Sequence, residues 1–499
     1  MSATPATRRH LVFGCLILAM FMVAIEATVV ATAMPQIVAR LGGFQVYAWV
    51  FSAFLLTQTA TTVMFGKLAD LYGRKPVMVI GLVVFLIGSI AAGFSWSMGA
   101  LIGFRLLQGL GAGAIQPTAM TLVSDLYTID ERRRTQSYMA TVWGVSAVIG
   151  PLAGAFIVQH ISWAWVFWIN IPLGILAVIG MMLFLHEKVE HHSRRIDWGG
   201  ALLFTVAVSA LLLAISPTSG GGILTHPLVF AVIALVAAPA FLFWERRVPE
   251  PMMDVELWSQ PTIAAANVAT LAAGVSLIGL TACLPIYIQA VLGRSPIVSG
   301  LTLTAMAIGW PIAATISARL FLPWWGMRTT LRIGAVLIVV GGSAFPFVGS
   351  AQAGVWLSSA GALLMGGGMG MMSYTAVLLL QASVEWNRRG AATASNVFAR
   401  LLGNTLGAAV MGAILNLGLR LAGANVSSDQ VRALMDRTSG AAAPAVYPAL
   451  HSALAGSLHW VFMAMFVLCV ATLVAAWMMP QPDVAEPFRR RAAQPRAAE

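Results

Sequence analysis

The chain has 499 residues, 59% of them hydrophobic and only 9% charged, whereas soluble domains carry about 25% charged residues, so a soluble fold is excluded. A net charge of +11 would suit a nucleic-acid partner, but the charges sit at the ends of long apolar stretches and form no single basic patch, which excludes that class. The three cysteines (Cys15, Cys283, Cys469) all fall inside apolar stretches, so packing is expected and a disulfide framework is not.

A membrane-spanning helix needs roughly 20 apolar residues. Fourteen stretches qualify: 11–34, 46–66, 77–96, 98–124, 136–159, 163–185, 198–216, 227–244, 261–291, 297–318, 330–349, 353–381, 390–418 and 457–479. The first holds Glu26, and no small-x-small cleavage site follows it, so it reads as a span and not as a cleaved leader. With the amino terminus in the cytoplasm and the spans alternating, Arg40, Arg294, Arg420, Arg432 and Arg437 fall outside, and Arg105 and Arg400 fall within spans. Every other Lys and Arg then lies on the cytoplasmic side, which is the positive-inside bias and favours an even number of spans.

Along the chain, Glu26 is the one acid of eighteen deep in a span. Such an acid costs about 2.5–3.5 kcal/mol and is functional by default, as a proton carrier or an attractor of cationic substrate. Next, Gly66-Lys67-Leu68-Ala69-Asp70-Leu71-Tyr72-Gly73-Arg74-Lys75 is a short charged turn between two spans. Its glycines permit a tight turn and close helix approach, and Asp70 and Arg74 can pair with each other or with helix ends. Arg105 is an intramembrane cation followed by Gln108, with Gly109 and Gly113 at small-xxx-small spacing. In the fifth span, Gly144 and then Gly150-Pro151-Leu152-Ala153-Gly154 kink the helix and give it a flat packing face.

Polar linkers His186 to Asp197 and Glu245 to Glu256 set off the pair of spans at 198–244. Trp143, Asn267, Trp310 and Tyr374 are candidates to face a central cavity, and Arg400 is a further intramembrane charge. The stretch 419–456 is too polar to span and is expected to be an outer loop with a short amphipathic helix at Asp429 to Met435. The tail 481–499 is expected to be a disordered cytoplasmic segment. No phosphate loop with Gly-Lys-Ser/Thr is present, and His191-His192 lacks metal-ligand spacing, so no cofactor or metal is expected.

The 66–75 run closely resembles G-x-L-A-D-x-x-G-R-[RK], found between helices 2 and 3 of the major facilitator superfamily. The run beginning at Arg105 is similar to the superfamily's R-x-x-Q-G-x-G, and Gly150-Pro151 with Gly154 to the pattern found mainly in its exporters, with Ala155 where that pattern ends in Gly. Trp163-Ala164-Trp165-Val166-Phe167-Trp168-Ile169-Asn170-Ile171-Pro172-Leu173-Gly174 resembles W-R-W-x-F-x-I-N-x-P-x-G of the fourteen-helix drug/proton antiporters of the EmrB/QacA type, with Ala164 replacing the Arg. Glu26 with Thr28 and Pro35, Asp197-Trp198 with Gly200, Gly293 to Pro296 with Gly300, and Asn396 with Arg400, Gly403 and Gly407 also resemble that branch. Near Arg319 to Arg332, where a repeat of the charged turn is due, Gly326 and Arg328 remain without an acid, so the first half is expected to carry the cytoplasmic latch.

The resemblance implies an all-α major facilitator fold: an N-terminal six-helix half (1–190), an inserted helix pair with linkers (191–256) and a C-terminal six-helix half (257–480) around a midplane cavity. It implies a proton-coupled antiporter of a bacterial inner membrane, both termini cytoplasmic, exporting lipophilic, cationic compounds. Arg105 would couple to Glu26; Gly66, Asp70, Gly73 and Arg74 would gate; and Gly150, Pro151 and Gly154 would form a hinge and a seal against proton leak. Substrate would meet Glu26, Trp143, Asn267, Trp310 and Tyr374, in contact with membrane lipid, and the outer loop could receive a periplasmic adaptor. An exporter of one metabolite, amino acid or lipid, and a non-transporting scaffold or sensor, are the alternatives; no enzyme is expected.

Overall fold

A computed structural model describes residues 8–127, 129–187, 197–215, 226–249, 251, 255–346, 351–385, 389–422 and 448–480. Most of the loop 419–456 with its expected short helix, His191-His192 and the tail after 480 lie outside the described residues. Lipid offers no hydrogen bonds, so apolar segments must satisfy their backbone internally as helices. The first six are α1 (Arg9–Leu41), α2 (Ala48–Tyr72), α3 (Arg74–Gly93), α4 (Met98–Leu126), α5 (Ile129–His160) and α6 (Asn170–Phe184). The pair α7 (Trp198–Ile215) and α8 (Pro227–Glu245) follows. Then come α9 (Pro261–Ile286), α10 (Pro296–Ile316), α11 (Leu322–Ser343), α12 (Ala351–Ala382), α13 (Arg389–Leu421) and α14 (Pro448–Met478).

Among the described residues, 12 stretches are long and apolar enough to cross a membrane, where the sequence suggested fourteen. The difference has two sources. Expected spans 297–318 and 330–349 join in one 48-residue helical stretch, Pro296–Ser343, interrupted at Gly326 (φ 74°, ψ 173°). The other is α5, of which Gly144–His160 is the apolar segment among the described residues.

The backbone carries a repeat that the side chains had largely lost. Gly73, between α2 and α3, has φ 94° and ψ 154°, close to the values at Gly326. That region is essentially glycine-only, which is why this residue survives at both turns.

Packing sorts the helices into two groups. In the first, α4 packs on α2 and α3, and α1 on α5; in the second, α12 packs on α10 and α11, and α9 on α13 and α14. The groups meet through α5 with α10, α2 with α13 and α1 with α9. The inserted pair lies beside one of these seams. Phe204 of α7 and Phe241 of α8 cluster with Phe398 of α13 and with Leu56 and Ala60 of α2. Outward rows such as Ile80, Val83, Ile87 and Ile90 on α3, and Leu228, Val232, Leu235 and Val236 on α8, are exposed at helical spacing, as lipid-facing surfaces require.

Candidate functional site

Glu26 of α1 and Arg105 of α4 are each 1% exposed, and the Arg105 guanidinium donates to Glu26 Oε1 at 2.5 Å. The same guanidinium group donates to Gln108 Oε1 at 2.6 Å and, through Nε, to the Val50 carbonyl at 3.1 Å. It lies over the Phe54 ring, 4.2 Å from the centroid. The second oxygen of Glu26 accepts from the Asn170 amide of α6 at 2.5 Å. Ser89 of α3 closes the cluster, accepting from Gln108 at 2.7 Å and from Asn170 at 3.1 Å. The bonds from Arg105 and Asn170 to the carboxylate are charge-assisted, the strong kind, and tie α1 to α4 and α6, while Ser89 brings in α3 through neutral bonds.

Sequence reasoning singled out Glu26 and Arg105, and both are here. It missed three partners. Gln108 was legible as the residue one turn after Arg105 on the same face. Asn170 stood in a quoted motif, but nothing in its neighbours revealed that it reaches α1. Ser89 left no signal, since small hydroxyl residues are common in spans. In this conformation Arg105 donates to one carboxylate oxygen of Glu26 and Asn170 to the other.

Small residues make this approach possible. A side chain at Gly109 would strike the Phe54 carbonyl and Thr57, and one at Gly113 would strike Thr61, so α4 lies against α2 at both positions. Gly66 differs: a Cβ there would meet only Pro117 at 4.0 Å, so it serves no close helix approach.

At the end where α1 begins, Arg74 Nε lies 3.0 Å from Asp125 Oδ2 of α4 and Arg74 Nη1 lies 3.8 Å from Glu187. Glu187 also caps α3, accepting from the backbone N–H of Arg74 at 2.9 Å and of Lys75 at 2.8 Å. Lys75 Nζ donates to the carbonyls of Met182 and Leu185, at the end of α6. The side chains of Asp70 and Trp143 lie outside the described residues.

At the opposite end the two groups of helices close on each other. Tyr47 OH and Cys283 Sγ are 3.2 Å apart, Asn416 donates to the Gln45 carbonyl at 2.7 Å, and Gln289 to the Thr32 carbonyl at 3.4 Å. Gly150 and Gly154 seat α5 on Thr28, Val29 and Thr32 of α1. Across the seam, a Cβ at Gly300 of α10 would lie 2.7 Å from the Pro151 carbonyl and 3.2 Å from Ala155 Cβ. Gly300 therefore leaves the room that the Ala155 methyl occupies. Ala164, standing where the resembled pattern has Arg, is 7% exposed.

The remaining candidates do not gather into one site. Asn267 is fully buried in a clasp between α9 and α13, where Asn396 donates to its carbonyl oxygen at 3.1 Å and its own amide donates to Ser395 at 3.1 Å. Trp310 is half-buried on α10, and Tyr374 on α12 is 41% exposed. All three cysteines are free and buried.

Comparison with known proteins follows the same lines. The family model of the Major Facilitator Superfamily matches residues 16–408. The chain is 35% identical over 424 residues to Multidrug resistance protein 3 of Bacillus subtilis (strain 168), covering 83% of this chain and 80% of that one. It is 33% identical over 414 residues to Multidrug transporter protein MdtP of the same organism, covering 82% and 76%. It is 30% identical over 455 residues to Efflux pump FUS6 of Gibberella moniliformis (strain M3125 / FGSC 7600), covering 87% and 79%. Among solved structures, a bacterial homolog to the human lysosomal transporter Spinster, in an inward-facing and unoccupied conformation, aligns with a TM-score of 0.66 at 16% identity, over 94% of this chain and 97% of that one.

Proposed function

We infer that this chain, which belongs to the Major Facilitator Superfamily, is a proton-coupled multidrug efflux antiporter of the fourteen-helix branch, set in a bacterial inner membrane with both termini in the cytoplasm. That it is a multi-pass transporter and not an enzyme follows from the family and its relatives. Fourteen crossings are supported by length. A 48-residue helix would run about 72 Å at 1.5 Å per residue, more than twice a bilayer core of about 30 Å, so Gly326 serves as a turn between two spans. The helix α5 has 32 residues and packs on both α1 and α10, so it crosses as well. The packing groups fit two six-helix halves, 1–190 and 257–480, with 191–256 inserted between them.

The observation that carries the reading is the buried Glu26–Arg105 pair. A proton on Glu26 cancels the carboxylate charge, so Arg105 keeps only Gln108, the Val50 carbonyl and the Phe54 ring, while the Asn170 and Arg105 bonds to Glu26 lose their charge assistance. Since α1, α3, α4 and α6 all meet there, protonation changes the packing of the N-terminal half as a unit. Substrate enters with the far end closed, as here; protonation then favours opening there and weakens substrate binding; proton release to the cytoplasm resets the cycle. Arg74, Asp125 and Glu187 hold the cytoplasmic ends of α3 and α4. One proton falling through about 100 mV supplies roughly 2.3 kcal/mol, enough for about a fifty-fold gradient of a neutral solute.

The test is efflux of lipophilic drugs from energised membrane vesicles, comparing the protein with Glu26→Gln. Transport that a protonophore abolishes and the substitution cripples is expected. Protonophore-insensitive transport, or full activity with Gln at this position, would overturn the proton-coupled reading.

A further inference from the structure

We propose that Arg400, with Asn404, is an anion-recognition site between the two halves, and that the preferred substrates carry a carboxylate or sulfonate on a lipophilic body. The proposal deepens the efflux reading and rests on it for the word substrate. It begins with charge. Of eighteen acids Glu26 alone lies deep in a span, and its charge is spent on Arg105. The membrane interior therefore holds two cations and one anion, and Arg400 is the surplus. Among the described residues no carboxylate, carbonyl or aromatic ring partners its guanidinium, although Arg105 and Arg332 have both polar and ring contacts. A cation inside a membrane protein without a partner is a functional-site hypothesis by default.

Geometry gives the direction. Phe398 of α13 packs on Phe204 of the inserted pair, and Leu402 and Leu406 pack on the same cluster, which also holds Leu56 and Ala60 of α2. Arg400 and Asn404 each lie two residues from members of that row, about 200° round the helix, and so point the opposite way, into the protein. Thr393, Val397, Arg400, Leu401 and Asn404 are all partly exposed on that inward face, while no residue of α13 between 395 and 416 is fully exposed. Asn404 sits beside Gly274 of α9, and its side-chain oxygen is buried without a partner. Arg400 lies about a third of the way along α13, within the depth of the bilayer core. A guanidinium with an adjacent amide offers several N–H donors in a fixed fork, which suits a planar carboxylate. The expectation from the sequence was of cationic substrates meeting Glu26, whose carboxylate here accepts from Arg105 and Asn170.

Two measurements test it in nanodiscs and proteoliposomes of the full chain. In the first, Asn404→Cys is labelled with anionic and cationic methanethiosulfonates, each rate referred to a free thiol. The anionic reagent should be favoured by at least about tenfold, the scale of one nearby charge at intermediate dielectric, and Arg400→Gln should abolish that preference. Failure of both reagents to reach the introduced thiol, or a preference unchanged by Arg400→Gln, overturns the site. In the second, the ratio of fluorescein transport, an anionic probe, to ethidium transport should fall about tenfold or more in Arg400→Gln and recover partly in Arg400→Lys. Equal loss for both probes overturns the substrate assignment, making Arg400 a general transport residue. A labelling preference with no transport of any probe supports the anion site and counts against the efflux reading. A preference that vanishes only when phosphatidylglycerol is added to a phosphatidylcholine bilayer assigns the anion to a lipid headgroup and overturns the solute assignment.

Discussion

Replacing Glu26 by Gln removes the anion against which Arg105 is buried. Breaking a buried pair by removing one partner costs about 3–5 kcal/mol. Arg105 would keep Gln108 Oε1 at 2.6 Å, the Val50 carbonyl at 3.1 Å and the Phe54 ring, which places the cost at the low end, about 3 kcal/mol. For a unit of roughly two hundred residues each kcal/mol moves Tm by about 2–4 °C, so a fall of about 6–12 °C is expected. The buried thiols Cys15, Cys283 and Cys469 report unfolding directly through a thiol-reactive dye; variants are compared at one scan rate because such unfolding is irreversible. The double variant Glu26→Gln with Arg105→Met should regain most of the loss, since both charges leave together and apolar replacement of a buried pair is often neutral. Its transport should stay absent. A Tm within about 2 °C of the parent for Glu26→Gln, or a double variant less stable than the single, would refute the role of this carboxylate as the counter-ion.

Gly73→Ala forces a side chain into φ 94°, ψ 154° and should cost about 1–3 kcal/mol, with a similar loss for Gly326→Ala; an unchanged Tm for either would show that the turn adapts. Glu187→Ala leaves the first N–H groups of α3 uncapped and should cost about 1–2 kcal/mol, read as lower Tm together with faster proteolysis near residue 187. Gly300→Val drives new atoms into the Pro151 carbonyl and should abolish transport at normal expression, while Gly144→Ala, facing Pro311 at 3.6 Å, should be tolerated; the reverse order would refute the packing of α5 on α10. A Cβ on Gly412 would press on that of Ala48 across the seam, so Gly412→Leu should wedge this end apart and impair transport at normal expression; unchanged transport would show that this close contact is not needed.

The sequence by itself determined the membrane location of the chain, nearly all of its helices and the two residues of the buried pair. It could do so because hydrophobic length is a local property and an intramembrane charge is rare enough to mark itself. Gly73 and Gly326 were legible for the same reason: a turn that only glycine can make leaves glycine behind. Only the tertiary structure decided who meets whom. Asn170, Ser89 and Gln108 join Glu26 from three other helices, Glu187 caps a helix 112 residues away, and Gly300 makes room for Ala155. Such pairings depend on how helices stack across the bundle, and hydropathy carries no information about that. The exposure of Arg400 on the inward face of α13 is of the same kind: sequence shows the charge, and only packing shows that no acid among the described residues comes to meet it.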